Sequence, residues 1–210
     1  MLHTCRMMRT IRFGLASALL LFVAAGRAQG DVITFENFAP PGGVVNVNPA
    51  SPYSEAGFRL TPTNAGSAVF DATAVADMPG NTTDFFGFAE GNIITLTNVA
   101  GVPFNLSSLL LGPTTIATFP SVSITLVGNF AGGGSLTRTF SVLTTATPVA
   151  LSDFTNLTSV VFRTTDDSGI DNINVTPVPE PATMLLLGTG LAGVAAKVRQ
   201  RRHAKKTKTA

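Results

Sequence analysis

The chain has 210 residues and a formal net charge of +2, but its charges are segregated. Between Asp31 and Val178 stand three cations, Arg59, Arg138 and Arg163, against eleven carboxylates, a net charge of −8, and this stretch has no Lys, His, Cys or Trp. Such a stretch repels phosphate backbones and lacks the usual general base, the best nucleophile and the common zinc ligands, which argues against nucleic-acid binding, His- or Cys-based catalysis and a zinc centre.

At the N-terminus, Arg6, Arg9 and Arg12 precede an apolar run from Phe13 to Ala25, and Gly26 and Ala28 follow. A charged region, an apolar region and small residues in that order predict a secretory signal peptide, residues 1–28, cut by signal peptidase after Ala28. The apolar run makes about 20 Å of helix, too short for a comfortable membrane span.

From residue 31 to 176 the sequence predicts one extracytoplasmic domain built of β-strands. Thr, Val, Ile and Phe dominate, and no stretch has helical periodicity. Strands are expected near Val32–Glu36, Gly57–Thr61, Ala68–Asp71, Ile93–Val99, Asn105–Leu111, Ser121–Val127, Leu136–Val142, Thr158–Arg163 and Ile170–Thr176. The clearest alternation sets Val122, Ile124 and Leu126 against Ser121, Ser123 and Thr125, a period of two with one face buried. Pro40-Pro41-Gly42-Gly43, Met78-Pro79-Gly80-Asn81, Gly112-Pro113 and Ala131-Gly132-Gly133-Gly134 mark turns. Eight or nine strands without helices predict an all-β fold, an antiparallel two-sheet sandwich of jelly-roll type. The segment 39–56 reads as a long loop.

Candidate binding chemistry lies where the domain begins and ends. The first strand reads Ile33-Thr34-Phe35-Glu36-Asn37-Phe38 and the last Gly169-Ile170-Asp171-Asn172-Ile173-Asn174-Val175. This pattern loosely resembles jelly-roll carbohydrate-binding modules. The resemblance implies that the two strands lie together and that carboxylates there hold a structural Ca²⁺. Glu36, Asp171 and Asn172 are the candidate ligands, with the 166–169 segment as a further source of oxygens, because Ca²⁺ takes six to eight oxygen donors. The competing reading makes Asp166 to Gly169 an ordinary turn. A Ca²⁺-dependent carbohydrate-binding module is therefore an alternative function. Sugar modules generally stack rings on Trp or Tyr, and here the only such residue is Tyr53, placed in the expected loop. A hydrolase is a further alternative, but Glu36, Glu55 and Glu90 are the domain's only glutamates and no flanking motif singles one out.

The C-terminal segment, 177–210, has three parts in order. Val178-Pro179-Glu180-Pro181 comes first, and its two prolines fix an extended spacer. An apolar run, 182–196, follows and makes about 23 Å of helix, extended towards a membrane span by snorkelling of Lys197 and Arg199. The basic cluster Lys197, Arg199, Arg201, Arg202, Lys205, Lys206 and Lys208 closes the segment and, by the positive-inside rule, stays cytoplasmic. The Pro-Glu-Pro motif, the Leu-Leu-Gly-x-Gly-Leu run from Leu186 to Leu191 and the basic cluster together resemble the PEP-CTERM sorting signal of Gram-negative bacteria. That resemblance implies an exosortase as processing partner, transient anchoring in the inner membrane, and a destination at the cell surface or in an extracellular matrix where exopolysaccharide is a neighbour. The expectation is a non-enzymatic structural or adhesive surface protein with no firmly assigned cofactor.

Overall fold

The computed structural model describes residues 30–74, 77–117, 122–142, 144–178, 188–190, 192–193 and 197. The expected signal peptide 1–28, Pro179 to Pro181, most of the apolar run and the basic residues Arg199, Arg201 and Arg202 lie outside the described residues. Among the described residues no helix is long and apolar enough to cross a membrane. Residues 188–190, 192–193 and 197 are helical, and Lys197 is exposed.

Among the described residues thirteen strands form the domain: β1 Asp31–Ile33, β2 Val44–Val47, β3 Tyr53–Glu55, β4 Phe58–Pro62, β5 Ser67–Phe70, β6 Phe85–Phe88, β7 Ile94–Asn98, β8 Phe104–Pro113, β9 Val122–Phe130, β10 Ser135–Val142, β11 Thr147–Ala150, β12 Leu157–Thr164 and β13 Ser168–Pro177. Every pairing is antiparallel. One layer runs β3-β4-β7-β12-β9-β10, and the other runs β2-β5-β6-β13-β8-β11 with β1 added to β13. The single pair Leu157↔Phe104 links the layers. The fold is thus all-β and sandwich-like.

The layers meet over a continuous apolar core. In β9, Val122, Ile124 and Leu126 point inwards, as the alternation requires. Phe58, Leu60, Ile94, Leu96, Val160 and Phe162 from the same layer face Phe86, Phe104, Leu106, Leu111, Ile170 and Val175 from the other, all essentially inaccessible to solvent. Each such side chain contributes about 1.5–3 kcal/mol of transfer free energy on burial. Phe58 meets Phe104 edge-on across the core at 5.1 Å.

All nine expected strands are present, but the loop expected at 39–56 is not one loop. It contains β2 and β3. Ala56 (φ 51°) and Gly57 (φ 77°) turn β3 into β4 as a two-residue hairpin with both central residues in the left-handed region, the geometry that matches strand twist. Strand β6 was also unanticipated: Phe85-Phe86-Gly87-Phe88 is buried at every position, so it has no alternation to read.

Candidate functional site

Strand β1 pairs with β13, Asp31 opposite Val175 and Ile33 opposite Ile173, so the two ends of the domain lie side by side. Strand β6 pairs with the earlier part of the same β13 edge, Phe88 to Phe86 opposite Ser168 to Ile170. Asp171 and Asn172 fall in the gap between those two partners. On the other edge of β13 the register to β8 shifts here, from Asp171↔Leu110 to Asn174↔Ser108, a bulge that puts Asn172 at φ 49°. Asn tolerates that conformation better than most residues.

The gap is filled by side chains. Asp171 is wholly buried. Its Oδ2 accepts hydrogen bonds from Thr83 Oγ1 at 2.7 Å, Asn81 Nδ2 at 3.0 Å and Asn172 Nδ2 at 3.2 Å, and its Oδ1 accepts from the Asn172 backbone N–H at 2.6 Å. Burial pushes the Asp171 carboxyl up to about 6; donors from Thr83, Asn172 and Asn81 oppose that rise, and the Glu36 charge adds to it.

Glu36 follows β1 in a tight turn. Phe35 (φ 62°) and Asn37 (φ 61°) flank it in the left-handed region, an unfavourable place for a phenylalanine. Glu55 holds that turn. Its Oε2 accepts from the backbone N–H groups of Thr34 (3.1 Å) and Phe35 (3.0 Å) and from Tyr53 Oη–H (2.6 Å), while its Oε1 accepts from Thr34 Oγ1 (3.2 Å). Tyr53 is therefore not a loop residue offered to a ligand. It is buried in β3, with its ring 5.0 Å from Phe35 and 4.8 Å from Phe38. Burial, then the Glu55 carboxylate, raise its pKa.

Of the three candidate Ca²⁺ ligands, Asp171 and Asn172 are in contact, and exposed Glu36 lies within electrostatic reach of Asp171. Glu36 also lines a cleft of about 430 Å³ with Asp71 and Asp84, walled by Phe38, Pro40 and Pro41. Asp71 is held below the usual carboxylate range by donors from Thr73 and Gly42. Asp84, 5% exposed, accepts from the Ala72 N–H at 3.2 Å. Among the described residues no group of three His, Cys, Asp or Glu is close enough to hold a metal ion. A cation here would therefore need amide, hydroxyl or backbone oxygens as well. The 166–169 segment spans the end of the β12–β13 turn and the first two residues of β13: Thr164 Oγ1 donates to the Asp166 carbonyl, and Thr164 and Ser168 share a hydroxyl contact of 2.6 Å.

Sequence reasoning named Glu55 only as one of the domain's three glutamates, without its role, and missed Asn81, Thr83 and Asp84. Asn81 and Thr83 lie about ninety residues from Asp171 in the chain, and nothing local marks that pairing.

The sorting segment begins where the sandwich ends. Strand β13 closes at Pro177, and the Val178 N–H donates to the Pro103 carbonyl at 2.7 Å. No curated protein matches the chain. Among solved structures it is similar to the N-terminal CBM22-1–CBM22-2 tandem domain of Xyn10C from Paenibacillus barcinonensis, with TM-score 0.40 and 11% identity over 75% of this chain and 47% of that one. This chain thus spans about half of that structure. It is also similar to the family 11 carbohydrate-binding module of the cellulase Lic26A-Cel5E of Clostridium thermocellum, with TM-score 0.33 and 7% identity over 73% and 97% of the two chains. Residues 177–202 match the family described as the PEP-CTERM protein-sorting motif, so the chain carries a C-terminal signal that implies export and exosortase processing.

Proposed function

We propose that the chain is a structural or adhesive protein of the cell surface or extracellular matrix, without enzymatic activity of its own. Signal peptidase removes residues 1–28, and residues 31–176 fold outside as one sandwich of jelly-roll type. Residues 182–196 hold the chain in the inner membrane until an exosortase-type enzyme cuts near Pro179-Glu180-Pro181. The basic residues Lys197, Arg199, Arg201 and Arg202 stay on the cytoplasmic side. The observation that carries this reading is the junction itself: the last ladder partner of β13 is Pro177, the residue at which the sorting match begins. Cleavage there releases a domain that keeps every strand. Intact mass from the native host tests it. A released form starting near Gln29 and ending near Pro179–Pro181 is expected. A form that keeps the basic tail and is found only in the membrane overturns the processing step.

A second reading, a structural Ca²⁺ at Glu36, Asp171 and Asn172 serving a carbohydrate-binding module, is favoured by the burial of Asp171 beside the Glu36 charge. A bound cation removes that repulsion and stabilises the fold by mass action. A melting temperature that rises by several degrees with millimolar Ca²⁺ and falls again on chelation supports it; an unchanged melting temperature overturns it.

A further inference from the structure

The sandwich has several open strand edges, and four of them are blunted. Strands β1 and β3 have three residues each, β2 has four, and β11 has four including Pro148. Short strands and proline are the usual protections against edge pairing. Strand β10 has neither. It runs for eight residues, Ser135–Val142, without proline or lysine, and its register to β9 is unbroken. Among the described residues it pairs only with β9. Its one charge, Arg138, is already ion-paired with Asp153.

The parity of its hydrogen bonds follows from the hairpin. The Phe130 N–H donates to the Gly134 carbonyl, so residues at even positions, Leu136, Arg138 and Phe140, turn their backbone groups towards β9. Ser135, Thr137, Thr139 and Ser141 turn theirs to the open edge, and all four are exposed. The Thr125–Thr139 hydroxyl contact of 3.0 Å agrees with that parity, since side chains approach closest at pairs that do not exchange backbone bonds.

We propose that β10 is a self-association edge at which a second copy of this chain adds antiparallel across a two-fold axis through Thr139. The parity admits an antiparallel two-fold axis at Thr139, where the residue exchanges both bonds with its mate, or at Arg138, where Thr137 and Thr139 exchange them across an unbonded 138/138 pair. The second axis sets two guanidinium groups directly opposite, which is destabilising, and an axis at Phe140 leaves only five residues of overlap. With the axis at Thr139, Arg138 faces Phe140 of the second copy, an arrangement suited to cation–π attraction. Thr137 faces Ser141, and six backbone hydrogen bonds form between the pairs 139/139, 137/141 and 141/137. An axis at Thr137 keeps the same parity but shortens the overlap within the strand from seven residues to five. The two β9–β10 layers then become one continuous sheet. This inference deepens the structural reading above, but it rests on the edge geometry and not on the sorting segment.

Cross-linking tests it in the full-length chain carrying Cys5→Ser, solubilised in detergent under mild oxidation. At a bonded antiparallel pair the two Cα atoms stand about 5.5 Å apart, within disulfide range. Thr139→Cys is expected to give a disulfide dimer at least about tenfold faster than Thr137→Cys, whose two copies would stand roughly 14 Å apart. An equimolar mixture of Thr137→Cys and Ser141→Cys is expected to give the heterodimer. Thr139→Lys, which sets two ammonium groups at the axis, should abolish concentration-dependent dimer mass in sedimentation. Equal rates for Thr137→Cys and Thr139→Cys, or no dimer from either Thr139→Cys or the mixture, overturn the proposal. Either failure leaves the sorting reading intact, because that reading is scored on the mass of the released form.

Discussion

On one edge strand β13 loses its neighbour at Asp171, between Phe86 near the start of β6 and Ile33 at the end of β1, and among the described residues strand β10 lacks a neighbour on one side over its whole length. At Asp171 the missing ladder is replaced by a carboxylate that gathers donors from Asn81, Thr83 and Asn172. Along β10 the described chain offers in its place only a long donation, 3.5 Å, from Arg138 Nη1 to the Thr137 carbonyl. The difference lies in location. A buried unpaired edge must be satisfied from within or it costs about 1–3 kcal/mol per polar group. An exposed one can leave its groups to water or to another chain.

The largest effect is expected from removing the filler. Asp171→Ala removes the acceptor of four donor groups from three residues beside the gap and should cost about 4 kcal/mol. The drop would be read as a shift of the urea midpoint of the domain at constant slope. An effect below about 1 kcal/mol would mean that water fills the gap as well as the carboxylate does.

The same carboxylate sets a pH dependence with an unusual sign. Its folded pKa of about 6 lies above the ordinary 3.8, so between those values the folded state binds the proton more tightly than the unfolded state. This group's contribution is therefore present in full below about pH 4 and is lost as pH rises through 6. The gap of about two units corresponds to about 3 kcal/mol. Other carboxylates, such as Asp71, pull the opposite way, so the test is the difference between the parent and Asp171→Asn across pH 4 to 7.5. The parent should lose stability relative to the variant as pH rises. A flat difference would show that Asp171 titrates alike in both states.

Glu55 tests whether the turn that presents Glu36 is held from β3. Glu55→Gln turns a charged acceptor of four hydrogen bonds into a neutral one and should cost about 2 kcal/mol. The left-handed Phe35 would then lose the contacts that hold it there, and amide exchange across residues 34–38 should rise while the β8–β13 ladder stays protected.

The nine strands read from the sequence are those whose side chains alternate or whose ends carry turn residues, and β9 is the plainest of them. Strands β2 and β3 sit among prolines and glycines that read as loop, β6 is buried on both faces, and β11 contains Pro148. The site was legible in part. Asp171 and Glu36 stood out as carboxylates at the two joined ends of the domain. Asn81 and Thr83 did not, because their role exists only once β6 has brought the preceding loop against β13. Tyr53 misled for the same reason: its burial depends on β3, which local sequence hides.

The smallest effect is expected on the open edge. A proline at Thr139 removes an N–H that points away from β9, so it should leave the hairpin ladder intact and cost under about 1 kcal/mol. A proline at Phe140, one residue on, removes an N–H that bonds Ile124 of β9 and should cost about 3 kcal/mol. One-residue alternation in tolerance is the signature of a strand with one paired and one free side. If Thr139→Pro is as damaging as Phe140→Pro, the edge at Thr139 is not free, and the contrast with Asp171 disappears because both gaps would then be filled from within the chain.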